Sequence, residues 1–131
     1  MSLSRYKVRP SIAVSDISRA AEFCERRLGL PAGAEQSDES RIYACGGDTA
    51  LHVYEAPAHA GKATATLVTW YVTDLDQVVD ELGSRGLAFA RYDDPALMAD
   101  EKGIHQLEDG RVAWFSDPDG NTFAIEEGTA G

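Results

Sequence analysis

The stretch from Trp114 to Glu127, WFSDPDGNTFAIEE, decides the fold of this chain. Its two outer parts are rich in strand-forming residues, and the DPDGN segment between them consists of turn residues. Pro118 presets the turn, and Gly120 can take the positive φ that a type I turn with a bulge requires. The stretch therefore predicts a hairpin that closes the chain, with strands over residues 111–116 and 122–127.

A second motif occurs twice and indicates two similar units. Residues 11–17 read SIAVSDI, residues 69–75 read TWYVTDL, and each is followed by a helical pattern that ends at a glycine. Each copy is too small to bury its own apolar face, so two copies must pack together. The repeat predicts one domain over residues 1–131, made of repeats at about 6–57 and 66–127.

The remaining elements follow from the alternation of apolar and polar residues. Further strands are predicted over residues 6–14, 41–45, 50–55, 67–72 and 87–92. Residues 56–64 lack periodicity and are predicted to link the copies within one fold. Residues 93–110 are predicted to form a long acidic loop with a short strand near His105, and both His59 and His105 are expected to be solvated.

The composition limits the possible functions. The chain has 131 residues, 44% of them apolar, and 22 acidic residues against 12 basic ones give a net charge of −10. This charge argues against nucleic acid as a partner, because phosphate binding needs a basic surface. There is no apolar run of about 18 residues for a membrane span and no secretory signal, so we expect a cytoplasmic protein without a membrane partner. Cys24 and Cys45 are expected to be buried thiols.

The order of strand, helix and three strands, used twice and closed by the DPDGN hairpin, resembles the vicinal oxygen chelate superfamily of glyoxalase, bleomycin-resistance and extradiol dioxygenase proteins. The likeness runs from about Lys7 to Glu127. Within it, LHVYEA at residues 51–56 is close to the corresponding strand of the bleomycin-resistance branch. The resemblance implies an α+β fold in which two βαβββ modules form a half-open barrel with helices outside. It also implies a homodimer, because dimers are common in the superfamily.

Enzymes that this chain resembles usually hold a divalent cation, and the resemblance places the four ligand positions at Arg9, His52, Leu67 and Ala124. Of these side chains, only that of His52 could coordinate a metal. Glu126 faces the same side of its strand as Ala124, so His52 with Glu126 is the best substitute site. An extradiol dioxygenase would need two histidines and one carboxylate, which these positions do not supply. We therefore expect no metal and no cofactor.

Strand alternation predicts which side chains face the helices and which line the cavity. The helix-facing set is Ile12, Val14, Leu51, Val53, Val68, Trp70, Val72, Phe123 and Ile125. The predicted ligand-binding residues are Arg9, His52, Tyr54, Leu67, Thr69, Tyr71, Ala124 and Glu126, with Ser11, Ala13 and Thr122 on the same side. This mixture of ring faces, charged groups and apolar surface is typical of small-molecule pockets. Arg9 either pairs with Glu126 or binds a ligand carboxylate. Trp114 either lines the cavity or packs in the core, and the sequence does not decide between the two.

Two functions follow from these residues and from the resemblance. The preferred hypothesis is a metal-independent binding protein, not an enzyme, that sequesters an antibiotic-like or other planar or cationic compound by stacking, burial and charge. The alternative is a glyoxalase-like lyase or isomerase acting on a carbonyl or hemithioacetal substrate. In that case His52 and Glu126 are the candidate catalytic acid and base, since the metal that would polarise the carbonyl is missing.

Overall fold

The structure is a computed structural model that describes residues 2–91, 99–108 and 110–128. The first module contains β1 (Ser11–Val14), α1 (Ile17–Glu22, continued by a π-helical turn over Phe23–Arg27), β2 (Ala34–Glu35), β3 (Arg41–Ala44) and β4 (Ala50–Glu55). The second module contains β5 (Thr66–Val72), α2 (Leu75–Ser84), β6 (His105–Leu107), β7 (Gly110–Ser116) and β8 (Thr122–Glu127). Within the described ranges, none of the helices has the length and apolar character that a membrane span requires.

Each module forms a mixed four-stranded sheet with the same topology. The strand order is β1-β4-β3-β2 in the first sheet and β5-β8-β7-β6 in the second. The outer pairs β1–β4 and β5–β8 are parallel, and the other neighbours are antiparallel. The predicted α+β fold of two βαβββ modules is therefore confirmed.

The two repeated aspartates begin the two helices. Asp16 accepts hydrogen bonds from two backbone N–H groups of the first turn of α1, and Asp74 accepts one from Gln77 in α2. A glutamate at the end of the last strand of each module adds a further acceptor: Glu55 binds the first N–H of α1 at 3.0 Å, and Glu127 binds that of α2 at 2.9 Å. Carboxylates at these positions also complement the positive end of the helix dipole.

The side chains predicted to face the helices belong to one core that both modules share. Fully buried members are Ile12, Val14, Leu51, Val53, Phe123 and Ile125, and Val68, Trp70 and Val72 pack against them. Phe123 of the second sheet borders a small void together with Leu51 and Val53 of the first, so the helix-facing sides of the two sheets meet. Because one face of each sheet belongs to this core, the opposite faces lie on its outside.

The closing turn joins the two modules. Asn121 is buried, its Nδ2 donates to the carbonyl oxygen of Ala13 at 3.0 Å, and its Oδ1 accepts from the backbone N–H of Gly61 at 3.1 Å. Asp119 accepts a hydrogen bond from the backbone N–H of Ser15 at 3.0 Å. The turn predicted from DPDGN therefore also fixes β1 and the linker to the second module.

Two predicted strands differ from the structure, and one strand was not predicted. The first strand begins at Ser11 instead of residue 6, since Pro10 has no N–H for a ladder. Residues 87–91 are not a strand: Ala90 donates one backbone hydrogen bond to β7, whose edge is otherwise occupied by β6. Ala34–Glu35 is the unpredicted strand. Position 92 of the predicted strand, and 93–98 and 109 of the predicted loop, lie outside the described residues.

Candidate functional site

The outer face of the first sheet carries a chain of hydrogen-bonded polar side chains. Ser11 on β1 lies directly opposite His52 on β4, and its Oγ is 3.1 Å from Nδ1 of the imidazole. The other ring nitrogen, Nε2, is 3.1 Å from Oγ of Ser40, which is buried just before β3. Ser40 Oγ in turn donates to Oδ1 of Asp38 at 2.7 Å.

The direction of these hydrogen bonds follows from the carboxylate of Asp38. The hydroxyl and then the backbone N–H of Ser40 bind it and hold the pKa of Asp38 below its ordinary value, so the carboxylate only accepts. The single hydroxyl proton of Ser40 goes to Asp38, and its oxygen therefore accepts from Nε2–H of His52. In a neutral imidazole Nδ1 is then the acceptor, and the hydroxyl of Ser11 donates to it.

An aromatic ring extends this polar chain along β4. Tyr54 lies two residues after His52 and therefore on the same face of the strand. The two rings are nearly parallel, with an interplanar angle of 14° and ring centroids 5.6 Å apart. Both side chains are only partly buried, so this pair offers ring surface to a planar molecule.

The outer face of the second sheet holds four of the predicted site residues together. The parallel register places Thr69 beside Ala124 and Tyr71 beside Glu126. Tyr71 is 52% exposed, whereas Ala124 is buried. Beyond the edge of this sheet, a groove of about 480 Å³ runs between β5 and the start of β4, and Thr69 and Tyr71 line it together with Val8. The exposed aromatic ring of Tyr71 therefore lies at a concave part of the surface.

Trp114, which the sequence left open, lies on this outer face and not in the core. It is opposite Ala124 in the β7–β8 register, and its Nε1 donates to Oγ1 of Thr66 at 3.2 Å. The sequence did not predict Thr66 as a site residue. The β5–β8 register shifts between Thr66 and Val68, which leaves Leu67 as the extra residue of a bulge. The bulge turns Thr66 to the side where regular alternation had placed Leu67.

His105 is fully buried, so the expectation that it is solvated is wrong. It begins β6, and its ring contacts that of Trp114 edge to face at a centroid distance of 5.0 Å. Its Nε2 also lies 3.5 Å from the carbonyl oxygen of Ala90. Strand pairing, which the local sequence did not reveal, brings this histidine under the indole.

Arg9 lies outside the strand in which the sequence placed it. It precedes β1, is exposed, and forms none of the ion pairs found among the described residues. The reason is again Pro10, because the strand begins only after it. Of the two alternatives for Arg9, the pair with Glu126 is therefore not formed, and binding of a ligand carboxylate stays a prediction. The guanidinium is thus not held against the outer face of the sheet by Glu126.

The residues at the superfamily's ligand positions do not fit a divalent cation. Over residues 2–91, 99–108 and 110–128, no group of three His, Cys, Asp or Glu side chains is close enough to hold a metal ion. His52 has both ring nitrogens within hydrogen-bond distance of serine hydroxyls. Arginine, leucine and alanine at the other positions supply no ligand.

The fold and these two faces define a member of the class built from paired βαβββ modules. The family model described as Glyoxalase/Bleomycin resistance protein/Dioxygenase superfamily matches residues 7–125, and the chain belongs to this superfamily. By sequence, no curated protein matches the chain.

Solved structures show the same fold at low sequence identity. The chain is 25% identical to TnmS3, an antibiotic binding protein from Streptomyces sp. CB03234, with a TM-score of 0.69 over 95% of this chain and 96% of that one. It is also 25% identical to a glyoxalase/bleomycin resistance protein from Catenulispora acidiphila DSM 44928, with a TM-score of 0.69 over 94% and 98% of the two chains. A fosfomycin resistance protein, FosX, from Listeria monocytogenes is 12% identical, with a TM-score of 0.67 over 95% and 93%.

Proposed function

We propose that this protein is a metal-independent small-molecule-binding protein that holds a planar or cationic compound on the outer faces of its two sheets. The observation that carries the proposal is the state of His52. It stands where enzymes of the superfamily place a metal ligand, yet Ser11 and Ser40 engage its two ring nitrogens. A ring whose two nitrogens are engaged in this way offers its face for stacking with an organic group and needs no metal.

Three further features support a planar or cationic ligand. The rings of His52 and Tyr54 are nearly parallel, and the exposed Tyr71 is paired in strand register with the acidic residue Glu126. The net charge of −10 favours the approach of a cation over that of an anion. The similarity to TnmS3, an antibiotic binding protein, supports an antibiotic-like compound as the ligand.

The functional unit in this proposal is a homodimer. In each sheet the site residues lie on the face turned away from the shared core, and in this proposal a second copy closes these faces over a ligand. A second copy can place its second-sheet face against the first-sheet face of this copy. Apolar side chains near the unpaired edge of β5 support such a contact, since Leu67 is 38% exposed and Val8 89%.

The test is calorimetric titration with planar aromatic compounds, one cationic (9-aminoacridine) and one neutral (7-hydroxycoumarin), with and without EDTA. Binding is expected to be independent of EDTA and at least about tenfold weaker in Tyr54→Ala, because a stacking surface is lost. Asp48→Ala is the control, since Asp48 is exposed and forms an ion pair with Lys7 at the surface. Turnover of methylglyoxal with glutathione that increases on addition of nickel or zinc would contradict the proposal and support the lyase alternative.

A further inference from the structure

We infer that the first-sheet face selects planar ligands that carry a hydrogen-bond donor at their rim, such as a phenol hydroxyl or an aromatic N–H, because Ser11 presents only acceptor lone pairs to them. The inference rests on the proposed function and adds the chemistry of the ligand. It concerns one position of the site, the hydroxyl of Ser11 beside the rings of His52 and Tyr54.

The first step is the number of protons in the chain of hydrogen bonds. With His52 neutral, Asp38 accepts a hydrogen bond from the hydroxyl of Ser40, Ser40 Oγ accepts one from Nε2–H of His52, and Nδ1 accepts one from the hydroxyl of Ser11. Each hydroxyl has one proton and each neutral imidazole one N–H, so no donor is left over. The oxygen of Ser11 therefore has lone pairs available and no proton to offer.

The second step is the position of that oxygen. Ser11 is exposed and lies on β1, at the edge of the first sheet, directly opposite His52. The next register pair on the same face joins Ala13 and Tyr54, so a small side chain leaves room beside the tyrosine ring. A planar molecule that stacks on the His52 and Tyr54 rings has its rim one strand spacing, about 5 Å, from β1.

The third step compares the affinity of a ligand that has a hydrogen-bond donor at its rim with that of a ligand that has an acceptor there. A ligand hydroxyl completes the chain and gains a hydrogen bond to Ser11. An ether oxygen of the ligand at the same place faces the lone pairs of Ser11 Oγ and cannot form a hydrogen bond with it. It also loses the water molecule that was hydrogen-bonded to it in solution. Because the position is partly solvated, we expect a preference of about fivefold and not a full exclusion.

The experiment compares 7-hydroxycoumarin with 7-methoxycoumarin, which share a planar ring system and differ in the donor, at a pH where the phenol is un-ionised. We expect wild-type protein to bind 7-hydroxycoumarin about fivefold more tightly, since one neutral hydrogen bond is gained. Ser11→Ala is expected to bind the two compounds equally. Ser18→Ala, which changes an exposed serine of α1, is the matched control and should keep the wild-type preference.

A second readout tests the proton positions directly. The ¹⁵N shifts of the neutral His52 ring should show a protonated Nε2 and an unprotonated Nδ1 in wild type. Protonation at Nδ1 in the neutral ring, or equal binding of the two coumarins by wild type, would overturn the inference and leave the proposed function standing. Binding of neither coumarin while 9-aminoacridine still binds would overturn the inference alone. Binding of none of the three compounds, or binding that EDTA abolishes, would overturn both.

Discussion

Cys24 and Cys45 show how the surroundings of a residue decide its chemistry. Cys24 is buried in the π-helical turn that continues α1, and desolvation, followed by the nearby charges of Asp117 and Glu25, raises its pKa to about 12. At pH 8 only about one thiol in ten thousand is then ionised, and the thiolate is the reactive form. Cys45 is only partly buried and lines the groove beside β5.

We therefore predict that iodoacetamide alkylates native protein at Cys45 and leaves Cys24 unmodified. Peptide mass spectrometry after a timed reaction at pH 8 measures both sites. The Cys45→Ser variant should remain unlabelled until denaturant is added. Alkylation of Cys24 in folded protein at a rate comparable to that of Cys45 would contradict the prediction.

The closing turn adds hydrogen bonds between the two modules to the core that they share. In Asn121→Ala the carbonyl oxygen of Ala13 and the N–H of Gly61 lose the side-chain partner that they have in the wild type. We expect a loss of about 2–4 kcal/mol in the free energy of unfolding, because each buried polar group left without a partner costs about 1–3 kcal/mol. Urea unfolding measures the change, and Asp48→Ala should stay within about 0.5 kcal/mol of wild type. Equal stability of the two variants would show that the hydrogen bonds of Asn121 do not stabilise the contact between the modules.

Carboxylates near the start of α2 make the stability of the fold depend on pH. The N–H of Leu75 and then Arg111 bind Glu127 and lower its pKa, and Arg111 likewise lowers the pKa of Asp76. A carboxyl group whose pKa is lower in the folded state stabilises the fold above its unfolded pKa of about 4, and this contribution is lost as the pH falls through the folded value.

We predict that Glu127→Gln is less stable than wild type at pH 7 and that the difference narrows as the pH is lowered to about 3, where the wild-type carboxylate is being protonated. Urea unfolding at a series of pH values measures this difference. The exposed Glu22→Gln should follow the wild-type curve. A constant difference between Glu127→Gln and wild type at all pH values would mean that shape, and not charge, accounts for the effect.

The sequence predicted the elements that local pattern determines. The strands 50–55 and 122–127 have the predicted bounds, because alternation and turn residues are local signals. The same alternation places His52 and Tyr54 on one face. It could not predict the partners of His52, since Ser40 and Asp38 lie in a loop whose contact with β4 depends on the folded sheet. It also missed Thr66, because a bulge shifts the register of β5.

At the scale of the whole molecule, the proposed function includes a second copy that closes the site. Val8 is 89% exposed and lines the groove beside β5, whereas Leu3 is 86% exposed but does not line it. We predict a dimer for wild type and for Leu3→Glu, and a monomer or a much weaker dimer for Val8→Glu, because a charge is placed in an apolar contact. Analytical ultracentrifugation distinguishes these states. A wild-type monomer at micromolar concentration would contradict the homodimer.

The most direct test of metal-independent binding is native mass spectrometry of protein purified without chelator, recorded with 7-hydroxycoumarin present and repeated after EDTA treatment. One spectrum reports the number of subunits, any bound metal and the bound aromatic compound. We predict a dimer that binds the coumarin, carries no stoichiometric divalent metal and gives the same spectrum after EDTA. A divalent metal in each subunit, whose removal also removes the coumarin, would contradict the account and indicate a metal-dependent enzyme.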